Sequence, residues 1–109
     1  MGTKRYGLLG EFEHLVMLAI LRHPDGVFGL QIGRELEELA ERRVSRGALY
    51  ATLERLERKG YVRWALEKGG PERGGHPRRK FTLTRTGLVA LRDYRRAVQS
   101  LVLGFEELL

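Results

Sequence analysis

The residues that could do imidazole, serine or thiol chemistry are few: His14, His23 and His76, Ser45 and Ser100, and no cysteine at all. The histidines lie far apart, and none has a partner at metal-ligand spacing, so neither a metal site nor a catalytic base is expected. Ser45 precedes a helical pattern and is explained as an N-cap, while Ser100 sits between apolar residues of a helix. Neither G-x-G-x-x-G nor a Walker sequence is present, so no nucleotide cofactor is expected. The chain reads as a non-enzyme with no cofactor. What it concentrates is positive charge. Residues 61–96 hold ten Lys/Arg against three Asp/Glu, whereas residues 1–60 hold ten against nine. A basic block on a small domain is the electrostatic footprint of a polyanion. Arg73, His76, Arg78, Arg79 and Lys80 crowd at or beside a Gly/Pro-rich stretch over residues 69–77.

Those side chains need elements to hold them, and the pattern supplies one mainly α domain with a small β-hairpin. Residues 1–9, with Lys4 and Arg5, read as a loosely held basic arm. A first helix is expected over residues 10–22, with Phe12, Leu15, Val16, Ala19 and Ile20 at helical spacing. Met17, Leu18 and Leu21 make it apolar nearly all round, so it is buried on most faces. Met17 and Leu21 are therefore candidate contacts for a second subunit. Pro24-Asp25-Gly26 is a turn, Val27-Phe28 a short strand, and a second helix follows over about residues 30–42 with Ile32, Leu36, Leu39 and Ala40 inward. The third helix runs from its cap, Ser45, to Lys59, with Gly60 as a left-handed stop. Leu49, Leu53 and Leu56 line its core face; Gly47, Tyr50, Ala51, Glu54 and Arg58 lie opposite, with Arg46 and Arg55 at the flanks. Val62, Trp64 and Leu66 alternate in one strand, and residues 78–83 form its partner with Phe81 and Leu83 inward. Thr84 caps a last helix expected to reach about residue 108. Along it Leu91, Tyr94, Val98, Leu101, Phe105 and Leu108 recur at spacings of 3, 4, 3, 4 and 3, a heptad seam for a homodimer.

Two helices, a short turn and a hairpin with a basic loop make a winged helix-turn-helix, over residues 1–83, followed by a dimerisation helix over residues 84–109. A helix fits the major groove of B-form DNA, and the N-terminal end of the second helix of such a pair meets the base edges. Tyr50 and Arg55 are the long side chains a groove reader needs, Arg46 adds charge beside the cap, and Gly47 and Ala51 let the backbone approach closely. The wing, with Arg73, His76, Arg78 and Arg79, can follow the sugar-phosphate backbone. The expected partner is double-stranded DNA. A winged helix that binds another protein instead is the alternative, and the charge block argues against it. The longest apolar run, residues 15–21, is too short to span a bilayer. With no cysteine and no leader pattern, the chain reads as cytoplasmic, with no membrane partner.

The residues also resemble a known family, the PadR-like transcriptional regulators. The resemblance starts at Leu9-Gly10-Glu11-Phe12-Glu13 and Leu18-Ala19-Ile20-Leu21. It continues through Gly47-Ala48-Leu49-Tyr50 and Leu53-Glu54-Arg55-Leu56-Glu57-Arg58-Lys59-Gly60, then Gly75, Pro77-Arg78-Arg79, Phe81, Leu83-Thr84 and Gly87. It implies a winged-helix dimer, usually a repressor and often relieved by a small-molecule effector, whose identity the sequence does not give. Carried over by position, it implies DNA-facing Ser45, Arg46, Gly47, Tyr50, Ala51 and Arg55, with wing contacts from Arg78 and Arg79. It also implies a C-terminal helix used for dimerisation. Two residues depart from the pattern. Ala51 stands where proline is usual, which bears on base preference, and Lys80 stands where an aromatic is expected, which bears on the packing of the wing strand.

Overall fold

The computed structural model describes residues 9–69, Pro71 and residues 74–109; the basic arm with Lys4 and Arg5, and Arg73 of the wing, lie outside the described residues. The order of elements is α1 (Glu11–Leu21), β1 (Val27–Phe28), α2 (Gly29–Ala40), α3 (Arg46–Arg58), β2 (Val62–Glu67), β3 (Arg78–Leu83) and α4 (Arg85–Val102), with a 3-10 turn over Glu106–Leu108. The three strands form one antiparallel sheet in the order β1-β3-β2. This is the mainly α winged helix-turn-helix that the sequence predicts.

Local chemistry explains the boundaries. The Ser45 hydroxyl accepts a hydrogen bond from the Ala48 amide at 3.1 Å, satisfying one orphan donor of α3. Gly60 ends that helix at φ 78°. Glu41 takes φ 54° and stops α2 at Ala40, two residues earlier than expected, with the Arg42 amide returning to the Leu36 carbonyl at 3.0 Å. Leu39 consequently lies exposed at the end of the helix, not on its inner stripe.

The core is shared by the four α-helices and the three strands. Val16, Met17 and Ile20 of α1 meet Ile32 and Leu36 of α2, Leu49, Leu53 and Leu56 of α3, Val27, Val62 and Phe81 of the sheet, and Leu91 of α4. Two residues expected at a subunit interface are thus spent inside the chain: Met17 and Leu91 have no surface left to offer a partner. Hydrophobicity and spacing cannot tell a core contact from an interface contact, and here the sheet and α1 reached them first. Leu21 remains exposed at the end of α1, and Tyr94 is half-buried, its ring 4.7 Å from that of His14. Burial, reinforced by Arg95, holds the His14 pKa below the ordinary histidine value.

The seam on α4 also ends sooner than its heptads suggest. Leu103 leaves helical geometry and Gly104 takes φ 92°, so Phe105 and Leu108 stand beyond the helix instead of on its face. Glycine favours neither the helical backbone nor its continuation, and the Gly104 amide instead bonds to the Glu106 carboxylate at 2.8 Å. Val98 and Leu101 stay on α4, exposed by 42% and 83%.

The start of α4 is locked to the end of α3. The Thr84 hydroxyl donates to the Gly60 carbonyl at 2.6 Å and accepts from the Gly87 amide at 2.9 Å, while the Thr84 amide donates to the Tyr61 carbonyl at 3.0 Å. Gly87 lies so close to Tyr61 that an added Cβ would sit 2.1 Å from its carbonyl oxygen. By contrast, a Cβ on Gly33, within α2, would meet nothing nearer than the Leu49 Cδ2 at 3.8 Å. Glycine-to-alanine in a helix ordinarily stabilises by about 0.5–1 kcal/mol. Thermal melts should show that gain for Gly33→Ala and a clear loss for Gly87→Ala, although both are helical positions. A stabilised Gly87→Ala would mean the Tyr61 contact is not as close as described.

Candidate nucleic-acid interface

The orientation of α3 decides which side chains reach outward. At about 100° per residue, Leu49, Thr52, Leu53 and Leu56 share one side of the helix, and all four are buried. Gly47, Ala51, Glu54 and Arg58 lie within about 60° of one another on the opposite side, and all four are exposed. Nothing lies within 4 Å of a Cβ placed on Gly47, so the backbone there is open to close approach.

Tyr50 and Arg55 fall on the two flanks. Tyr50 is half-buried, its ring 6.5 Å from that of Phe81 and its hydroxyl so close to Gly29 that a Cβ there would lie 2.3 Å away. It joins α3 to the start of α2 and to the wing strand. Arg55 turns the other way. Its guanidinium donates to the Thr52 hydroxyl at 2.9 Å and stands 3.8 Å from the Glu13 carboxylate of α1. Glu13 also receives the Lys59 ammonium at 3.0 and 2.9 Å and the Gly10 amide at 2.9 Å. Burial alone would raise the pKa of this carboxyl, but the Gly10 amide and the Lys59 and Arg55 cations outweigh it, and the net direction is down. The Glu13 network joins residues 46 apart in the chain, and sequence reasoning missed it; a Glu three residues after the Gly10 cap position was the only local signal.

The wing side carries the arginines. Arg78 lies over the Phe28 ring at 3.5 Å, and Arg79 is set among Trp64 at 5.1 Å, Tyr50 at 5.5 Å and Phe81 at 6.0 Å. Arg46, in the first turn of α3, stands 6.0 Å from the centre of the same Tyr50 ring. Aromatic faces attract these cations and hold them in place without neutralising them. Between the starts of α2 and α3 and the wing strand opens a cleft of about 490 Å³, with Arg34, Arg46, Arg78 and Arg79 on its walls. Phe28 gives α2 no side-chain cap, and Phe28, Gly29 and Leu30 at the start of that helix line the same cleft. Ser45 is exposed at the rim of the same end, and its hydroxyl is already engaged as the cap.

Lys80 resolves one of the two departures. Its stem packs across Gly26, where a Cβ would sit 2.7 Å from Lys80 Cγ, and its ammonium lies 3.7 Å from Glu67 and 5.8 Å from the Phe28 ring. The aliphatic stem packs over the glycine while the charged end stays near Glu67. His76 is exposed at the base of the wing, where its backbone approaches Gly69 closely. Among the described residues, no group of acidic or imidazole side chains is placed to hold a metal ion. None of the described helices is long and apolar enough to cross a membrane.

The sequence matches the Transcriptional regulator PadR-like family over residues 17–93. Solved structures share the fold. A PadR-like transcription factor from Bacteroides fragilis matches with a TM-score of 0.74 at 23% identity, over 90% of this chain and 89% of that one. A PadR family transcriptional regulator from Eggerthella lenta matches at 0.70 with 25% identity, over 90% and 85%. Bacillus subtilis PadR, solved in complex with operator DNA, matches at 0.65 with 18% identity, over 76% of this chain and 45% of that one. No curated protein sequence matches this one.

Because the folded pKa of Glu13 is depressed, its contribution to stability is present above the ordinary carboxylate range and is lost as pH falls through the folded value. Glu13→Gln should cost about 1–2 kcal/mol at neutral pH, a modest figure because Lys59 and Arg55 stay partly solvated. Melts recorded from pH 7 down to pH 3 should bring wild type and variant together as acid neutralises the carboxylate. A constant gap across that range would show that the charge is not what matters.

Proposed function

Since this chain belongs to the PadR-like family of transcriptional regulators, we propose that it is a sequence-specific DNA-binding repressor that grips a pseudo-palindromic operator as a homodimer. The observation that carries the reading is a cluster of arginines, in which Arg46 at the start of α3 and Arg78 and Arg79 on β3 line one open cleft. On this reading α3 enters a major groove, and Gly47 and Ala51 allow its backbone close to the base edges. Arg46, Arg78 and Arg79 lie against flanking phosphates, which fixes register without reading sequence. His76 and, outside the described residues, Arg73 extend the same line along the wing. Tyr50 and Arg55 work from the flanks: Tyr50 seats the wing against α3, and Arg55 reaches a phosphate or base edge only by leaving Glu13. PadR from Bacillus subtilis, which shares the fold, was solved in complex with operator DNA, and this favours DNA as the partner.

The dimer rests on the far half of α4. One winged helix covers too few base pairs to mark a single site in a genome, so two copies about 34 Å apart are needed. Val98 and Leu101 face solvent on α4, and Leu103, Phe105 and Leu108 extend the apolar surface beyond it. Tyr94 sits where the core ends and this surface begins, and Leu21 at the end of α1 is a further exposed apolar residue. Residues 84–109 thus serve as the dimerisation segment, with a second copy of this chain as the occupant.

Two measurements test this. Arg78→Ala with Arg79→Ala should weaken binding to all DNA alike and reduce the slope of log affinity against log salt by roughly 0.9 for each phosphate no longer neutralised. An unchanged slope would place the wing off the backbone. Val98→Glu with Leu101→Glu should convert a dimer to a monomer in sedimentation, since each buried apolar side chain contributes roughly 1.5–3 kcal/mol. Operator affinity should then fall much further than half-site affinity, and a double variant that still sediments as a dimer would move the interface elsewhere.

A further inference from the structure

We infer that Glu54 is a specificity-determining residue of this surface, selecting a cytosine in the major groove by accepting a hydrogen bond from its N4 amino group. The inference rests on the DNA-binding reading above and goes beyond it to one residue and one base.

Geometry singles Glu54 out. The outward file of α3 is Gly47, Ala51, Glu54 and Arg58, all exposed. Gly47 and Ala51 bring no polar side-chain atom, so only Glu54 and Arg58 can form side-chain hydrogen bonds from this file. The long side chains on the flanks are occupied, Tyr50 against Phe81 and Gly29 and Arg55 against Thr52 and Glu13. Glu54 forms no hydrogen bond or ion pair with any described residue. A free carboxylate thus stands on the outward file of α3, between Ala51 and Arg58, on the helix whose first turn carries Arg46.

An acid in that position is unfavourable toward DNA unless it meets a donor. A carboxylate accepts hydrogen bonds and donates none. The major groove offers two amino donors, cytosine N4 and adenine N6. The adenine amino group is flanked by acceptors on both sides, its own N7 and the thymine O4, and both repel a carboxylate. The cytosine amino group has an acceptor on one side only, the guanine O6, and a C–H on the other. A carboxylate therefore fits cytosine best and is repelled where guanine N7 and O6 or thymine O4 face it. The arginines of the cleft supply the attraction, and Glu54 decides where it can be used. It contributes to specificity as much by opposing wrong sites as by favouring the right one.

Selection of bound DNA from a random pool, with the full chain and with Glu54→Gln and Glu54→Ala, tests this. The wild-type motif should contain a C·G pair at one symmetric position in each half-site, and replacing that pair should lower affinity about tenfold. Glu54→Ala should lose the preference at that position alone, and Glu54→Gln should shift it toward adenine, whose N6 and N7 a carboxamide can engage together. Both variants should bind random DNA several-fold more tightly, and both should melt like wild type, because the side chain is exposed. Identical motifs from all three proteins would overturn the assignment, as would a variant motif altered at every position. A wild-type protein that enriches no motif overturns the DNA-binding reading itself, and this inference with it.

Discussion

One buried carboxylate sets the angle at which α3 leaves the core. The side chain of Glu13 is only 8% exposed, yet it meets a backbone amide of its own helix cap and two cations of α3. Such a group is poor evidence for stability, because removing charges from water offsets most of what their attraction returns. Beyond that modest contribution, it acts on geometry. Lys59 and Arg55 sit one turn apart on one flank of α3, so fixing both fixes the roll of the helix as well as its tilt. Tyr50 fixes the opposite flank, with its hydroxyl over Gly29 and its ring against Phe81. Held on both sides, with Leu49, Leu53 and Leu56 buried beneath, α3 has one face left to present.

The wing depends on the same fixed helix. The inward row of β2 passes from Val62, which is buried, through Trp64 to Leu66, which is exposed, so the hairpin leaves the core as it lengthens. What steadies it is lateral. β3 pairs with β1 through Phe28 opposite Lys80, and the Phe28 ring then lies under Arg78. Arg79 rests among the rings of Tyr50, Trp64 and Phe81, which belong to α3, β2 and β3. Each guanidinium keeps its charge while losing much of its rotamer freedom, so less entropy remains to be lost when an anion arrives.

What the sequence made legible follows from the range of the interactions involved. The capping of helices by Ser45 and Thr84 and the left-handed turns at Gly26 and Gly60 are set within a turn of each residue, so these roles could be read directly. The periodicity of Leu91 to Leu108 was equally plain but misled about length, because one glycine at positive φ outweighs two apolar residues further on. Met17 and Leu91 looked like interface residues because burial inside a chain and burial between chains leave the same apolar pattern. The helix face was readable, its flanks were not. Whether Tyr50 and Arg55 point outward depends on Gly29, Phe81 and Glu13, each at least twenty residues away in the chain.

The two halves of α4 connect these constraints to assembly. Its first turns belong to the protomer: Leu91 is in the core, and Thr84 and Gly87 clamp the helix to Gly60 and Tyr61, where α3 ends and β2 begins. Its last turns carry Val98 and Leu101 away from that core. A rigid helix anchored at the end of α3 transmits any change in the angle between two partnered α4 helices directly to the two α3 helices. In the proposed dimer, half-site spacing is therefore set by the packing of α4 against its copy and by the clamp at Thr84 together. A change at either place alters which operators fit, even though neither comes near a base. Specificity then has two separable sources, the side chains on the outward face of α3 and the distance at which α4 holds the second copy of that face.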